Sequence, residues 1–215
     1  NQLSAIFNHA IRYYGLQINP AQKAGNMGVE EKKEMLFWTK DEYTKFSEAM
    51  MDKPISYYAF EMLYWCGIRE GELLALTPAD FNFERGTVSI NKSYQRINKQ
   101  DVITTPKTPK SIRVIQMPKF LCDEMQDYFK MFYSLDSDSR IFPISKNYLH
   151  REMARGSKAT GVKRIRIHDL RHSHVSLLID MGFTALAIAD RVGHESIDIT
   201  FRYAHLFPTR QIEMA

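Results

Sequence analysis

Hydrophobic and polar residues follow two different periods along this chain, and the period predicts which segments are helical and which are extended. Apolar residues recur at helical spacing over 3–14, 40–51, 119–133, 145–156, 168–181, 184–192 and 197–206. A more apolar helix is predicted to begin at Ser56 and stop at Gly67, and a short one to cover 69–76 before Pro78. Apolar and polar residues alternate instead over 87–91, 93–103 and 112–117. The sequence therefore predicts an α+β fold that is mostly helical and carries a small three-stranded antiparallel sheet.

The first 28 residues differ in composition from the adjoining segment. They contain no acidic residue, whereas 29–53 is dense in charges of both signs. The first helix closes at Gly15, and Asn19-Pro20 with the glycines at 25 and 28 is typical of a linker. We therefore predict a boundary near Gly28, between segments 1–28 and 29–215. The chain begins at Asn1 with neither a methionine nor a signal-peptide pattern, so we expect a fragment of a longer protein.

The overall composition excludes several classes of protein. With 215 residues, 44% hydrophobic and 25% charged, the chain has the balance of a globular domain rather than a disordered tail, a collagen-like fibre or a coiled coil. The most apolar windows, 55–68 and 175–189, each contain a carboxylate and are too short to span a membrane. Cys66 and Cys122 both lie in apolar helical patterns, which favours free thiols in a reducing compartment.

Positive charge is concentrated in two segments. The whole chain has a net charge of +4, but 92–119 contains seven basic residues and one acidic residue, and 140–174 contains nine and two. A single basic segment is commonly a solvated loop. Two of them, with Tyr94, His150, His168 and His172 among their residues, indicate a surface that binds a polyanion.

The chain lacks the motifs of the common nucleotide- and metal-dependent enzymes, such as a phosphate-binding glycine loop or paired zinc-ligand cysteines. It carries instead a set of basic and aromatic residues on separate predicted elements. Arg69 begins a short helix, His168 and Arg171 are three positions apart on one helix face, His194 begins another helix, and Tyr203 lies nine residues later.

Each of these residues, taken alone, also has a structural interpretation. Arg69 could pair with Glu72 on its own helix, and Tyr203 could be a core aromatic residue. His168 and His172 have the i,i+4 spacing of a zinc site, but no cysteine is close and Arg171 would repel a cation. The ordered set is therefore more informative than any member.

The ordered set resembles the signature of the tyrosine recombinase, or phage integrase, family. That signature is an arginine, a hairpin lysine, His-x-x-Arg, Gly-His and a tyrosine. The local sequences GIREGELLAL around Arg69, HDLRHSH at 168–174 and VGHESIDITFRYAH around Tyr203 agree with it. The resemblance covers about 36–207, and the hairpin is similar to those of integrases from Gram-positive conjugative transposons. It implies that 1–28 is the last helix of a core-binding domain plus its linker, and that 29–215 is the tyrosine recombinase catalytic domain.

The resemblance implies a DNA phosphodiester exchange that uses no metal, nucleotide or other cofactor. Attack on a phosphate builds a dianion-like transition state, which fixed positive charge stabilises. Arg69 and Arg171 would hold the non-bridging oxygens through forked donors, and His194 would add a donor. Tyr203 would be the nucleophile and form a 3′-phosphotyrosyl link.

The resemblance also implies how protons move in this exchange. A phenol is almost entirely protonated at neutral pH, so a base is needed, and His168 is the candidate. Lys107 on the hairpin is the candidate acid for the leaving 5′-oxygen. Prolines flank this lysine, a departure from the family, and Lys110 is the competing choice. Glu72 would orient Arg69 or His168 by accepting a hydrogen bond.

The implied partners are double-stranded DNA at recombination sites and further copies of the chain, assembled on DNA as a dimer to tetramer. The expected location is the bacterial cytoplasm, on the nucleoid. The basic residues predicted to contact DNA are Lys92, Arg96, Lys110, Arg113, Arg151, Arg155, Lys163, Arg164 and Arg166.

The implied function is site-specific integration or excision of a mobile element. Three alternatives stay open at the level of sequence. A type IB topoisomerase shares the catalytic set and relaxes supercoils without exchanging partners. A DNA-binding regulator could keep the fold without the activity, although no catalytic residue is missing. A zinc-dependent protein is the third alternative.

Overall fold

The chain divides into two units, Asn1–Glu34 and Met35–Ala215, within which the computed structural model describes residues 2–25, 35–106, 108–134 and 136–203. In the first unit, α1 (Gln2–Tyr14) and α2 (Pro20–Ala24) are joined through Asn19. The Asn19 side chain accepts hydrogen bonds from two amides of α2 and donates one to the Ser4 carbonyl of α1. The boundary predicted near Gly28 lies outside the described residues.

Most of the second unit is helical. Its helices are α3 (Lys40–Glu48), α4 (Pro54–Cys66), α5 (Glu70–Leu73), α6 (Lys119–Lys130), α7 (Lys146–Thr160), α8 (Asp169–Asp180), α9 (Ala185–Val192) and α10 (Ile197–Phe201). The central helix is α4, which packs against α8 and α6 and is buried on nearly all sides. This burial explains why its sequence is apolar almost throughout rather than along one stripe.

A three-stranded antiparallel sheet is present, as predicted, with the order β1 (Phe81–Asn82), β2 (Thr87–Ile90) and β5 (Arg113–Gln116), but β1 was not predicted and stands in the place expected for 93–103. Val88 of β2 pairs with Ile115 of β5, and both side chains are buried against the helices. The alternation along β2 therefore marks one buried face and one open face, as the sequence predicted.

The prediction of a single strand over 93–103 was wrong. The structure forms a hairpin there, β3 (Ser93–Ile97) and β4 (Gln100–Thr104), which is separate from the sheet. Asn98 and Lys99 form its turn with φ values of 50° and 66°, the left-handed conformation of a two-residue hairpin loop. Both are polar residues between two alternating segments, so the alternation alone did not reveal the turn.

Several helix ends also differ from prediction. The helices predicted over 40–51, 119–133 and 69–76 are shorter, whereas α7 continues four residues past its predicted end at 156. The helix predicted over 197–206 corresponds to α10, which ends at Phe201. Residues 204–206 of the prediction lie outside the described part of the chain. No described helix is both long enough and apolar enough to cross a membrane.

Candidate active site

The first guanidinium of the site lies at the junction of α4 and α5. Gly67 ends α4 in the left-handed conformation with φ of 61°, and the chain then turns so that Arg69 caps α5. Glu72 accepts from the backbone amide of Arg69 at 2.9 Å and from its guanidinium at 2.7 Å. The guanidinium also donates to the carbonyl of Gly193 at 3.2 Å, and 38% of the side chain is exposed. Arg69 is thus oriented at both ends but accessible.

The second guanidinium is that of Arg171, in the first turn of α8. It is buried and donates to two backbone carbonyls, those of Gly67, at 2.9 Å, and Val192. Burial, followed by the charges of Arg69 and Arg113, lowers the pKa of Arg171 below its ordinary value. Carbonyl oxygens position this group without neutralising it, so its full charge is available to an anion.

A third arginine, Arg113, binds the carboxylate of Glu72 that also binds Arg69. Arg113 on β5 donates to both oxygens of Glu72, at 2.9 and 3.2 Å, and to the carbonyl of Arg191 at 3.0 Å. Burial opposes ionisation of Glu72, but the Arg113 bonds and charge prevail and hold the pKa of Glu72 below its ordinary value. Only 6% of the Arg113 side chain is exposed, so in this structure Arg113 is engaged by Glu72 and is not presented to solvent as the other predicted DNA contacts are. Arg113 supports the carboxylate that orients Arg69.

The loop after α9 places His194 next to the site formed by Arg69 and Arg171. Gly193 has a φ of 68°, and a Cβ there would lie 2.9 Å from the backbone oxygen of Lys110. His194 Nδ1 is 2.8 Å from the hydroxyl of Thr200. Burial, with the charges of Arg171 and Arg69, lowers the pKa of His194 to about 3, so the imidazole is neutral. When the hydroxyl donates to Nδ1, the ring proton is on Nε2.

Tyr203 is only 3% exposed, and its ring packs in an apolar cluster with residues of α8 and α9, including Val175, Ile188 and Val192. Its hydroxyl is hydrogen-bonded to Nδ1 of His172. Burial raises the pKa of Tyr203 to about 12, an effect that the charge of Arg171 opposes.

The contact with His172 was not predicted as part of the tyrosine site. His172 appeared in the sequence only as a possible metal ligand with His168. It is 31 positions from Tyr203, and no local pattern reports a contact across that separation. The adjacent candidate, His168, occupies the N-cap position of α8 with an exposed side chain. Its ring centroid is 5.0 Å from that of His172, and the described hydrogen bonds of Tyr203 do not include it.

The two lysine candidates differ in what the structure describes. Lys107 lies outside the described residues. Lys110 donates to the carbonyl of Glu195 at 3.1 Å and therefore lies beside the loop that carries His194. A cleft of about 410 Å³ lies between the β3–β4 hairpin and this loop, lined among others by Arg69, Thr105 and Glu195.

The other predicted DNA contacts fall into two groups. Lys92 forms ion pairs with Asp80 at 2.8 Å, and Arg155 pairs with Asp52 and Glu152, so both are held within the protein. The exposed group is Arg96, Arg151, Lys163, Arg164 and Arg166. Three of its members also have an acidic partner: Arg96 lies 3.6 Å from Asp101, Lys163 lies 3.3 Å from Glu42, and Arg166 binds Asp169.

One of the two histidines considered as zinc ligands, His172, and the neighbouring His174 are engaged elsewhere. Nδ1 of His172 binds Tyr203, and Nε2 of His174 accepts a hydrogen bond from Arg191 at 3.1 Å. Within the described ranges, no three His, Cys, Asp or Glu side chains form a group that could hold a metal ion. Cys66 and Cys122 are buried free thiols.

Comparison with known proteins gives consistent results. The model of the phage integrase family matches residues 37–210. The ICEBs1 integrase of Bacillus subtilis is 33% identical over 99% of this chain and 62% of its own length. A putative prophage phiRv2 integrase of Mycobacterium tuberculosis is 27% identical, over 99% and 58%. The chain thus spans about three fifths of the length of these relatives.

Solved structures show the same fold. The Tn1549 transposon integrase in complex with a circular intermediate DNA has a TM-score of 0.78 and 21% identity, covering 98% of this chain and 75% of that one. A lambda integrase dimer bound to a COC′ core site has a TM-score of 0.61 and 19% identity, covering 94% and 56%. The mostly helical fold with a small antiparallel sheet is therefore confirmed as that of tyrosine recombinase catalytic domains.

Proposed function

This chain belongs to the phage integrase family, and from that premise we propose that it is a tyrosine-type site-specific recombinase of a mobile element. It cuts and rejoins DNA strands in integration and excision. The observation that carries the proposal is the convergence of two guanidiniums and a tyrosine from three separate elements. Arg69 comes from the start of α5, Arg171 from α8 and Tyr203 from the turn that follows α10.

The positive charge of the site suits a phosphodiester in a pentacoordinate transition state. Arg171 retains its charge because its partners are carbonyls, and Arg69 has an accessible edge. Two forked guanidiniums can bind both non-bridging oxygens. His194, with its proton on Nε2, supplies a neutral donor. These three groups provide the charge stabilisation for which other phosphoryl-transfer enzymes use a divalent ion.

The covalent step is an attack by the Tyr203 oxygen on phosphorus. The bond from phosphorus to the 5′-oxygen breaks, and a 3′-phosphotyrosyl link forms. The 5′-hydroxyl of a partner strand reverses the step, so the bond energy is conserved and no ATP is needed. We assign protonation of the leaving oxygen to Lys107. His168 has an exposed side chain, but partial desolvation and the charge of Arg171 lower its pKa, so it presents a neutral ring beside the phosphate site.

The proposed partners are duplex DNA and further copies of the chain. Arg96, Arg151, Lys163 and Arg164 have exposed side chains that can contact phosphates. Exchange between two duplexes requires two active tyrosines on each, so we propose assembly on DNA up to a tetramer. We place this work in the bacterial cytoplasm, on the nucleoid.

The test is capture of a covalent complex on nicked suicide DNA. A pool of nicked duplexes of randomised sequence is incubated with the chain, and detergent-resistant adducts are recovered and sequenced. We expect wild type to select a defined sequence linked through its 3′-phosphate. Tyr203→Phe should bind DNA normally yet give no adduct, because it lacks only the nucleophilic oxygen. EDTA should leave the yield unchanged.

Other results would contradict the proposal. An adduct with Tyr203→Phe would exclude this tyrosine as nucleophile. EDTA inhibition reversed by magnesium would contradict the guanidinium mechanism. Relaxation of any supercoiled plasmid, without sequence preference or strand exchange, would indicate a type IB topoisomerase.

A further inference from the structure

The hydroxyl of Tyr203 meets a histidine that the sequence did not assign to catalysis. Its hydrogen bond is to Nδ1 of His172, and the other ring nitrogen of that histidine faces the carboxylate of Asp169. We propose that His172 accepts the phenolic proton when Tyr203 attacks the phosphate, and that Asp169 is a positioning residue for His172. This inference rests on the proposed function and names the base for its covalent step.

The first argument is the protonation pattern of the ring. A neutral imidazole carries one proton, so Nδ1 can accept from the phenol only when the proton is on Nε2. The distance from Nε2 to Oδ1 of Asp169 is 3.8 Å, which is longer than a hydrogen bond, and the same oxygen of this buried carboxylate accepts from the Arg166 guanidinium at 2.7 Å. A buried carboxylate on that side favours the tautomer that leaves Nδ1 free, and it stabilises the imidazolium that forms. Carboxylate, imidazole and hydroxyl therefore lie in sequence, and the carboxylate acts on the ring through its charge while the hydroxyl is hydrogen-bonded to it.

The second argument is the charge around the pair. His172 faces His168 and the charged groups Asp169, Arg166 and Arg171, while Tyr203 faces Arg171, Asp169 and Arg202. Burial comes first among the causes that lower the pKa of His172 to about 4, followed by His168 and the arginines. The ring is thus neutral and able to accept at pH 7. Arrival of the negative phosphate would offset the repulsion from Arg171 and make the imidazolium easier to form.

The third argument is the comparison with His168. Both histidines are near Arg171, but only His172 contacts the reacting oxygen among the described hydrogen bonds. His168 lies edge-on to His172 at the exposed start of α8. Its position suits a contact with the phosphate or the DNA strand. The prediction that His168 is the base is therefore replaced by this assignment in the proposal.

The step balances without a further reactant. The O–H bond of Tyr203 breaks and an N–H bond forms at Nδ1 of His172, while the phenolic oxygen bonds to phosphorus. The bond from phosphorus to the 5′-oxygen breaks, and that oxygen takes a proton from a separate acid. During religation, His172 returns its proton to the departing tyrosine. The net charge on the two sides of the step is equal.

The experiment measures single-turnover adduct formation on the selected suicide substrate for wild type, His172→Ala, His172→Asn and His168→Ala. A positioned base contributes about 10²–10⁴-fold, so we expect both His172 variants to lose at least 100-fold while binding DNA normally. Their rates should rise with pH where wild type has reached a plateau, because phenolate then forms without a base. Added imidazole should restore part of the lost rate of His172→Ala and should leave the rate of wild type unchanged.

Three results would overturn the inference. These are a His172→Ala rate within threefold of wild type, full activity of His172→Asn, which can hydrogen-bond but cannot take a proton, and a loss confined to His168→Ala. In each of these cases wild type still forms adduct. A wild type that forms none on any DNA in the pool would instead count against the proposed function.

A measurement on the folded wild type covers the case in which the variants fail to fold. Nitrogen-15 chemical shifts of labelled histidine report the tautomer of His172. We expect the Nε2-protonated form in wild type and a shift towards Nδ1 protonation in Asp169→Asn. An Nδ1-protonated ring in wild type would overturn the inference, because that nitrogen could not accept. An unchanged tautomer in Asp169→Asn would overturn the role given to Asp169.

Discussion

At the scale of single residues, two buried arginines of the site differ in their partners. Arg113 binds a carboxylate, so its charge is neutralised where it lies. Arg171 binds carbonyls, which hold the guanidinium in place without neutralising its charge. The same side chain therefore serves as a structural tie in one place and as an anion receptor in the other. This distinction depends on tertiary contacts and separates Arg113 from the DNA-binding set in which its sequence placed it.

Glu72 should contribute strongly to stability, because it joins Arg69 and Arg113 in a buried cluster. Removing one partner of such a pair costs about 3–5 kcal/mol, so Glu72→Gln should lower the free energy of unfolding by about that amount. The folded pKa of Glu72 lies below its unfolded value. Its contribution is therefore complete above the unfolded pKa of about 4.5 and is lost as pH falls through the folded pKa.

Urea unfolding of both proteins between pH 3 and 7 tests this, and the difference between them should shrink towards low pH. Asp123→Asn is the matched control, since Asp123 pairs with Lys119 on the exposed surface at 3.2 Å. It should change stability by less than about 1 kcal/mol. A Glu72→Gln effect as small as that of the control would contradict the prediction.

Lys107 should act on the leaving group, and a substrate change can reveal that role. A 5′-bridging sulfur leaves as a thiolate and needs no proton, because the pKa of a thiol is about 8.5 and far below that of an alcohol. Lys107→Ala should cleave normal DNA slowly and the 5′-phosphorothiolate nearly as fast as wild type. Arg69→Ala should be slow on both, because its partners are the non-bridging oxygens. Rescue of Lys110→Ala alone would assign the acid to Lys110.

At the scale of elements, the turns that end α4 and α9 place the backbone carbonyls of the site. The chain reverses at Gly67 next to the ring of His174, and the Gly67 carbonyl receives Arg171. A Cβ at this position would overlap that ring. The backbone conformation of this turn and the position of Arg171 are thus coupled.

Gly67→Ala should therefore damage both stability and cleavage. Alanine in a left-handed conformation costs about 1–2 kcal/mol, and overpacking adds about 1–3 kcal/mol. Gly161→Ala is the matched control, because Gly161 ends α7 with φ of 72° and has nothing within 4 Å of its Cβ position. Thermal or urea unfolding should show a larger loss for Gly67→Ala, with slower adduct formation. Equal losses would indicate that His174 moves away freely.

The sequence was sufficient for the local features of these elements. The start of α3 at Lys40, the stop at Gly67 and the alternation of β2 depend on neighbouring residues, and the structure contains all three. The hairpin turn at Asn98 was hidden by continuous alternation. The contacts of Arg113 with Glu72 and of Tyr203 with His172 join residues 41 and 31 positions apart. Such contacts depend on how helices and strands pack together, and the spacing of apolar residues along the chain does not predict that packing.

At the scale of the whole molecule, the two basic segments divide into charges that hold the fold and charges that face solvent. Lys92, Arg113 and Arg155 belong to the first kind. Lys163 and Arg164 have exposed side chains and belong to the second, although Lys163 also lies 3.3 Å from Glu42. The net charge of a segment therefore overstates the number of phosphates it can bind. The exposed cations should control how affinity for DNA depends on salt.

Replacing Lys163 and Arg164 by glutamine should flatten the dependence of DNA affinity on salt. Each phosphate contact on duplex DNA contributes about 0.9 to the log–log slope, so the slope should fall by up to about 2. Fluorescence anisotropy with non-specific duplex DNA over a series of salt concentrations measures it. Replacing Lys45 and Lys130, which lie outside both basic segments, removes equal charge and should leave the slope unchanged. Equal slopes for the two double variants would contradict the assignment of this surface.

The carbonyl anchors of Arg171 also have a genetic consequence. When two side chains bind each other, a damaging mutation in one can be suppressed by a compensating mutation in the other. The anchors at Gly67 and Val192 are backbone atoms, which every residue type supplies. No exchange of side chains can therefore remove or recreate them, and only a displaced backbone can disturb them. A suppressor screen should accordingly find partners for lesions at Glu72 far more readily than for lesions at Arg171.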